Sequence, residues 1–197
     1  LTVLSGSSFL GSQLVQRMDL SALTFAVVDD NRHMRSILRT ALNSAGVHQI
    51  KEFPNGVDAL QVMQDQVPDI IICDWHMRPL DGLDFVRHVR ASRNPALRLA
   101  PVIMVSSYSE FSRVVAARDA GVHEFLVKPI TAKRLYQRIA VIVQNPRPFI
   151  QVSGYFGPDR RRVQDPRFNG PYRRKDDQVN LQAGANDDDD DDLTWGN

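Results

Sequence analysis

The stretch Ile70-Ile71-Ile72-Cys73-Asp74-Trp75-His76-Met77 decides the fold. A short apolar run ends in an acid, and a loop with Pro79 and Asp81-Gly82 follows. A run this short, bounded by turn formers, reads as a strand buried on both faces. Its terminal aspartate is thereby delivered to the carboxyl edge of a sheet, where open α/β folds place their chemistry. Working outward, residues 23–28 form a second apolar run, closed by Asp29 and Asp30. A third, Phe125-Leu126-Val127, is closed by Lys128 and followed by Pro129. Three acids and one lysine therefore stand at strand ends.

Between these runs the hydrophobic period changes from strand-like to helical. Met34, Ile37, Leu38, Ala41 and Leu42 trace one helical face, and Gly46 ends it. Gln49–Phe53 reads as a short strand, and Asn55-Gly56 turns the chain into a helix with Val57, Leu60 and Met63 inward. The third strand, residues 69–73, gives way to a helix over Gly82–Arg90 with Leu83, Val86 and Val89 inward. Residues 91–100 read as a basic loop containing Pro95, and residues 101–105 as a buried strand ending in Ser106-Ser107. A helix over residues 110–120 stops at Gly121, and the strand Glu124–Val127 follows. Thr131 caps a last helix carrying Leu135, Ile139, Ile142 and Val143. Five strands alternating with five helices imply one α/β domain over residues 23–145. Its architecture is a (βα)5 three-layer sandwich, with a five-stranded parallel sheet between helices joined by right-handed crossovers.

Composition narrows the class further. Hydrophobic residues make up 43% of 197, enough for a sizeable core. The single cysteine, Cys73, excludes a disulfide framework and is compatible with a reducing, cytoplasmic setting. No apolar run approaches the roughly 18 residues that a membrane span needs. The first ten residues lack a basic n-region, which argues against a secretory signal. Residues 1–22 read as an N-terminal arm in which Phe9, Leu10, Leu14, Val15 and Met18 fall at helical spacing. Two readings stay open for it, a poorly ordered arm and a docking or dimerising helix.

Asp29-Asp30, Asp74, Pro79-x-Asp81-Gly82, Ser106 and Lys128-Pro129, each at a strand end and in this order, make residues 23–145 resemble a receiver domain. This is the CheY-like module of two-component response regulators, and the resemblance implies a flavodoxin-like strand order. It implies that Asp74 accepts a phosphoryl group from a histidine kinase or phosphotransfer protein. Mg²⁺, a hard ion taking oxygen ligands, would be held by Asp30, Asp74 and the backbone carbonyl of His76, with Asp29 acting largely through water. Three carboxylates in one pocket repel one another without a cation, which also argues for a metal. Lys128 would supply positive charge to the phosphoryl oxygens and Ser106 a hydroxyl donor. A cis peptide is implied between Lys128 and Pro129. Such a chain is a phosphoacceptor that catalyses only its own phosphotransfer and dephosphorylation, not an enzyme acting on other substrates.

The same resemblance implies a switch. Phosphorylation adds close to two negative charges. Ser106 then moves toward the phosphoryl group and Phe125 turns inward. The surface built from the fourth helix, fifth strand and fifth helix changes for a downstream protein target. Phe125 stands where many members carry tyrosine, so no hydroxyl reports outward. His76 lies two residues after the nucleophile, where it bears on water access and phosphoryl lifetime. A phosphatase of the aspartyl-nucleophile type is a rival from another class, but the acid pair ahead of the nucleophile's strand fits a receiver better.

After Asn145 the regular pattern stops. Residues 146–197 read as an irregular extension, basic and then acidic. Residues 147–175 hold eight basic side chains, among them Arg160, Arg161, Arg162, Arg173 and Arg174, against two acids, with five aromatics interleaved. Six consecutive aspartates occupy residues 187–192. The extension is shorter than a winged-helix output domain and has no recognition-helix pattern, which argues against DNA binding. Three readings stay open: a protein-docking peptide, an anion-binding segment similar in kind to arginine-rich extensions that take cyclic di-GMP, and a solvated arm. The main rival function is a binding module that uses this tail, independent of phosphorylation or responsive to cyclic di-GMP, with the acidic pocket kept mainly for folding.

Overall fold

The computed structural model describes residues 18–160 and the backbone of residues 180–181. Most of the N-terminal arm, and Arg161, Arg162, Arg173 and Arg174 in the extension, lie outside them. Five parallel strands, β1 (Thr24–Val28), β2 (Gln49–Phe53), β3 (Ile70–Asp74), β4 (Val102–Ser106) and β5 (Glu124–Val127), form one sheet in the order β2-β1-β3-β4-β5. The central strand β3 is buried along its whole length, as a strand covered on both faces must be.

Alternate strand residues feed two cores. Phe25, Val27, Ile70, Ile72, Ile103, Val105 and Leu126 pack with helices α1 (Arg32–Ser44) and α6 (Ala132–Gln144). Ala26, Val28, Ile71, Cys73, Val102 and Met104 pack on the other side. There they meet α2 (Gly56–Met63), α3 (Gly82–Arg90), α4 (Pro95–Leu99) and α5 (Phe111–Asp119). This is the three-layer sandwich that the strand–helix alternation calls for.

Several details differ from the sequence expectation. The inward face of α2 is Gly56, Ala59 and Met63, while Val57 is 49% exposed. Gly56 sets that phase, because a Cβ there would lie 3.0 Å from the Phe85 ring, so α2 meets α3 nearly backbone to side chain. The supposed basic loop contains α4. Its N-cap Asn94 accepts from the Ala96 and Leu97 amides, and Pro95 occupies the first turn, where a missing N–H is harmless. In α6 Val143 is exposed, and the buried stripe is Leu135, Ile139 and Ile142.

The largest correction concerns the start of the extension, which is ordered rather than irregular. Strands β6 (Phe149–Val152) and β7 (Tyr155–Pro158) form an antiparallel hairpin, and the short strand β8 (Asn180–Leu181) pairs with β6. Gly154 takes the positive φ of +77° that the two-residue turn requires. The hairpin packs on the amino end of the main sheet, burying Phe149 and Tyr155. Contact is close: a Cβ at Gly157 would stand 2.9 Å from the Gly121 Cα.

Candidate functional site

Each carboxyl-end side chain owes its place to a strand that stops where it does. β1 and β3 are neighbours in parallel register, with Val28 opposite Cys73, so Asp29 and Asp74 emerge side by side. One oxygen each from Asp29, Asp30 and Asp74 lies within 4.8 Å of the others, the one such acidic group among the described residues. Asn31, not either neighbouring acid, caps α1 by accepting from the His33 and Met34 amides. Both acids at residues 29 and 30 are thus spared from capping.

Lys128 leaves the end of β5 and reaches across, placing its Nζ 2.7 Å from Asp74 Oδ1 and 3.8 Å from Asp29 Oδ2. The His76 amide donates to Asp74 Oδ2 at 2.9 Å, fixing the carboxylate plane. Asp29 Oδ1 accepts from the Asn31 amide at 2.8 Å, but buried Oδ2 has no hydrogen-bond partner. Burial raises the Asp29 pKa to about 6; the Asn31 amide bond opposes that shift, and the neighbouring Asp74 charge adds to it. A divalent cation among these oxygens would satisfy the orphaned atom and offset the repulsion. The donor set, all carboxylate oxygen, fits a hard ion such as Mg²⁺.

Ser106 is fully buried at the end of β4, one residue beyond Val105, the register partner of Asp74. Its hydroxyl accepts from the Tyr108 amide at 3.1 Å. Phe125 is half-buried on β5 and meets the Trp75 ring edge-on at 6.2 Å. Gly82 is required at the head of α3, because a Cβ there would fall 2.3 Å from the Asp74 carbonyl oxygen. The peptide bonds before Pro129 and before Pro79 are both cis; the first was implied by the resemblance, the second was not.

The two described basic residues of the extension, Arg147 and Arg160, make their contacts away from this site. Arg160, the described member of the anion-binding set, pairs with Asp119 at 3.4 Å and lies over the Tyr155 ring at 3.7 Å. The other four lie outside the described residues. Sequence reasoning missed Arg113, whose guanidinium stacks over Tyr108 and Trp75. The single signal for it was its place near the start of the helix after Ser106.

Strand-end acids, a lysine and a hydroxyl gathered at one sheet edge define a phosphoacceptor-type α/β module. The family model for the response regulator receiver domain matches residues 25–140, and the chain belongs to that family. It is 30% identical over 118 residues to the chemotaxis protein CheY-3 of Vibrio cholerae, covering 60% of this chain and 89% of that protein. To the chemotaxis protein CheY1 of Helicobacter pylori it is 32% identical over 118 residues, covering 59% and 94%. Among solved structures, the receiver domain of the sensor histidine kinase PA1611 from Pseudomonas aeruginosa is 26% identical with a TM-score of 0.54, covering 60% of this chain and 94% of that one. That structure has a magnesium ion coordinated in its active-site cleft. The signal receiver domain of a histidine kinase from Syntrophus aciditrophicus is 26% identical with a TM-score of 0.57, covering 64% and 92%. Among the described residues no helix is long and apolar enough to cross a membrane.

Proposed function

We propose that this chain is a stand-alone response regulator in which Asp74 accepts a phosphoryl group in a Mg²⁺-dependent reaction and passes the signal on by protein contact. One observation carries the reading. Lys128 is held 2.7 Å from Asp74 while Asp29 and Asp30 converge beside it, with one buried oxygen left unbonded. A cation-requiring acidic cup with a lysine on its nucleophile suits phosphoryl transfer, which depends on charge neutralisation and alignment.

A carboxylate oxygen of Asp74 attacks the phosphorus of a phosphohistidine on a histidine kinase or phosphotransfer protein. The P–N bond breaks, and the leaving imidazole keeps the electron pair and takes a proton from solvent. Lys128 moves its charge from Asp74 Oδ1 to the new phosphoryl oxygens, and the buried Ser106 hydroxyl donates to one of them. Asp29, Asp30, Asp74 and the His76 backbone carbonyl would hold Mg²⁺, which when bound neutralises phosphoryl charge. The downstream surface is α5-β5-α6, where Phe111 is 82% exposed. The stand-alone reading is supported by CheY-3 and CheY1, which consist of little beyond the matched segment. A cytoplasmic location and the absence of activity on other substrates belong to the same proposal.

The test is labelling by acetyl phosphate. The parent protein should take up one phosphoryl group with Mg²⁺ present and none with chelator, and Asp74→Asn should take up none. Undiminished labelling of Asp74→Asn would overturn the assignment.

A further inference from the structure

A cleft of about 470 Å³ opens at the amino end of the sheet, opposite the acidic edge. It lies between the last turn of α6, with Val141 and Ile142, and the linker of residues 145–148 that leads into the hairpin. Pro101, just before β4, and His123, just before β5, also line it. The receiver match ends at residue 140, so the linker side of the cleft is supplied by this chain's own extension. Its walls are mostly apolar, with Leu99 and Phe149 joining the residues just named, and Val141 stands 40% exposed there. An apolar cleft of this size with few polar groups is what small-molecule sites are made of.

One polar group is aimed by the fold. His123 is only 6% exposed, and its Nδ1 is met by two obligate donors, the Val102 amide at 3.2 Å and an Arg90 Nη at 3.4 Å. Nδ1 must therefore present its lone pair, and burial, with Arg90 and Arg147 adding to it, holds the ring neutral. The ring proton is thus fixed on Nε2, which has no hydrogen-bond partner among the described residues. The surrounding charge favours an anion: the guanidiniums of Arg90, Arg138 and Arg147 stand against the carboxylates of Glu124 and Asp159. The proline and phenylalanine faces suit a flat ring. We infer that the cleft is a binding site for a small aromatic carboxylate, its ring against Phe149, Val141 and Ile142 and its carboxylate accepting from His123 Nε2. The site is independent of Asp74, which lies at the other end of the sheet.

The probe is 2-naphthoate, titrated into the full chain and followed by amide shifts in two-dimensional NMR. Beside it runs 2-naphthylmethylammonium, the same ring with the opposite charge. The expected result is saturable naphthoate binding with shifts centred on Leu99, Val141 and Phe149, and binding of the ammonium weaker by about tenfold or more. Val141→Trp, at a half-exposed position, fills the cleft and should abolish binding while acetyl phosphate labelling of Asp74 continues unchanged. In His123→Asn the side-chain oxygen replaces Nδ1 as acceptor for the Val102 amide, but nothing replaces Nε2. Binding should weaken about tenfold, the worth of a hydrogen bond to a charged group. Val141→Trp decides the location even where His123→Asn fails to fold. No saturable binding by the parent, shifts centred elsewhere, equal binding of the ammonium, or undiminished binding by Val141→Trp would overturn the site and leave the Asp74 reading untouched.

Discussion

Two buried charge clusters sit at opposite ends of the same sheet, and they are built on opposite rules. At the amino end, Arg90 is buried without an ion pair among the described residues, yet its Nε and both Nη atoms donate to the carbonyls of Gly121, Arg98 and Ala100. Glu124 is bracketed by Arg138 at 3.1 Å and Arg147 at 3.6 Å. His123 Nδ1 accepts from the Val102 amide, and burial, with Arg90 and Arg147 adding to it, holds its pKa well below the usual value. Phe149 and Phe156 of the hairpin then cover Arg90 and Arg98 as aromatic faces. Arg90 thus has a partner for each nitrogen, while the buried Arg98 Nε has, among the described residues, only the Phe156 ring against its guanidinium. At the carboxyl end, Asp29 and Asp74 share Lys128 with the exposed Asp30 beside them, and a buried oxygen of Asp29 goes unbonded. A buried charge given partners in every direction rigidifies a fold, whereas one left under-satisfied stores free energy that a ligand can release.

The sharpest break in this contrast is expected at Arg90. Arg90→Ala strands two buried carbonyl groups, those of Gly121 and Ala100, and the part-buried one of Arg98, at about 1–3 kcal/mol each for the buried pair, so loss of several kcal/mol should appear in denaturant unfolding. Burial holds the Arg90 pKa down at about 9, still charged at neutral pH. Asp29→Asn should act in the other direction. The folded pKa of about 6 exceeds the ordinary 3.8, so the folded state binds the proton more tightly. Stability from this group is present at acid pH, falls as pH rises between those values, and stays reduced above them. Removing the charge should stabilise the metal-free protein by about 2–3 kcal/mol at pH 7 and by little at pH 4. A thermal melt without divalent ions reads this directly, and a destabilised Asp29→Asn would contradict it. By the same reasoning, Mg²⁺ should raise the parent's melting temperature more at pH 7 than at pH 5, and Asp29→Asn should lose most of that response. The smallest effect is expected from Glu124→Gln, about 1 kcal/mol, because Arg138 is partly exposed and its loss is softened by water. Its labelling at Asp74 should be unchanged, which separates the two ends functionally.

Much of this was legible beforehand, for a physical reason. A strand buried on both faces announces itself as an apolar run, and in a parallel sheet its last residue must lie at the functional edge, so Asp29, Asp30, Asp74 and Lys128 could be gathered without coordinates. The hairpin was not legible because Pro146, Pro148 and Pro158 disguised it; its one clear signal was Ser153-Gly154 between Phe149–Val152 and the aromatic pair Tyr155-Phe156. Helix α4 was hidden likewise, since Pro95 reads as a breaker until Asn94 is recognised as its cap. Val57 was misplaced because a glycine at the close approach to Phe85 shifts the helical phase by one. Arg113 left no more signal than its place near the start of the helix after Ser106, because its stacking on Trp75 and Tyr108 joins two loops across strand ends, which no local pattern encodes.

The central claim is best tested by locating the phosphoryl group chemically. The protein would be loaded with acetyl phosphate and Mg²⁺, treated with borohydride, which reduces an acyl phosphate to an alcohol, and mapped by peptide mass spectrometry. The account predicts homoserine at residue 74 alone. Homoserine at another acid, or none at any, would contradict it.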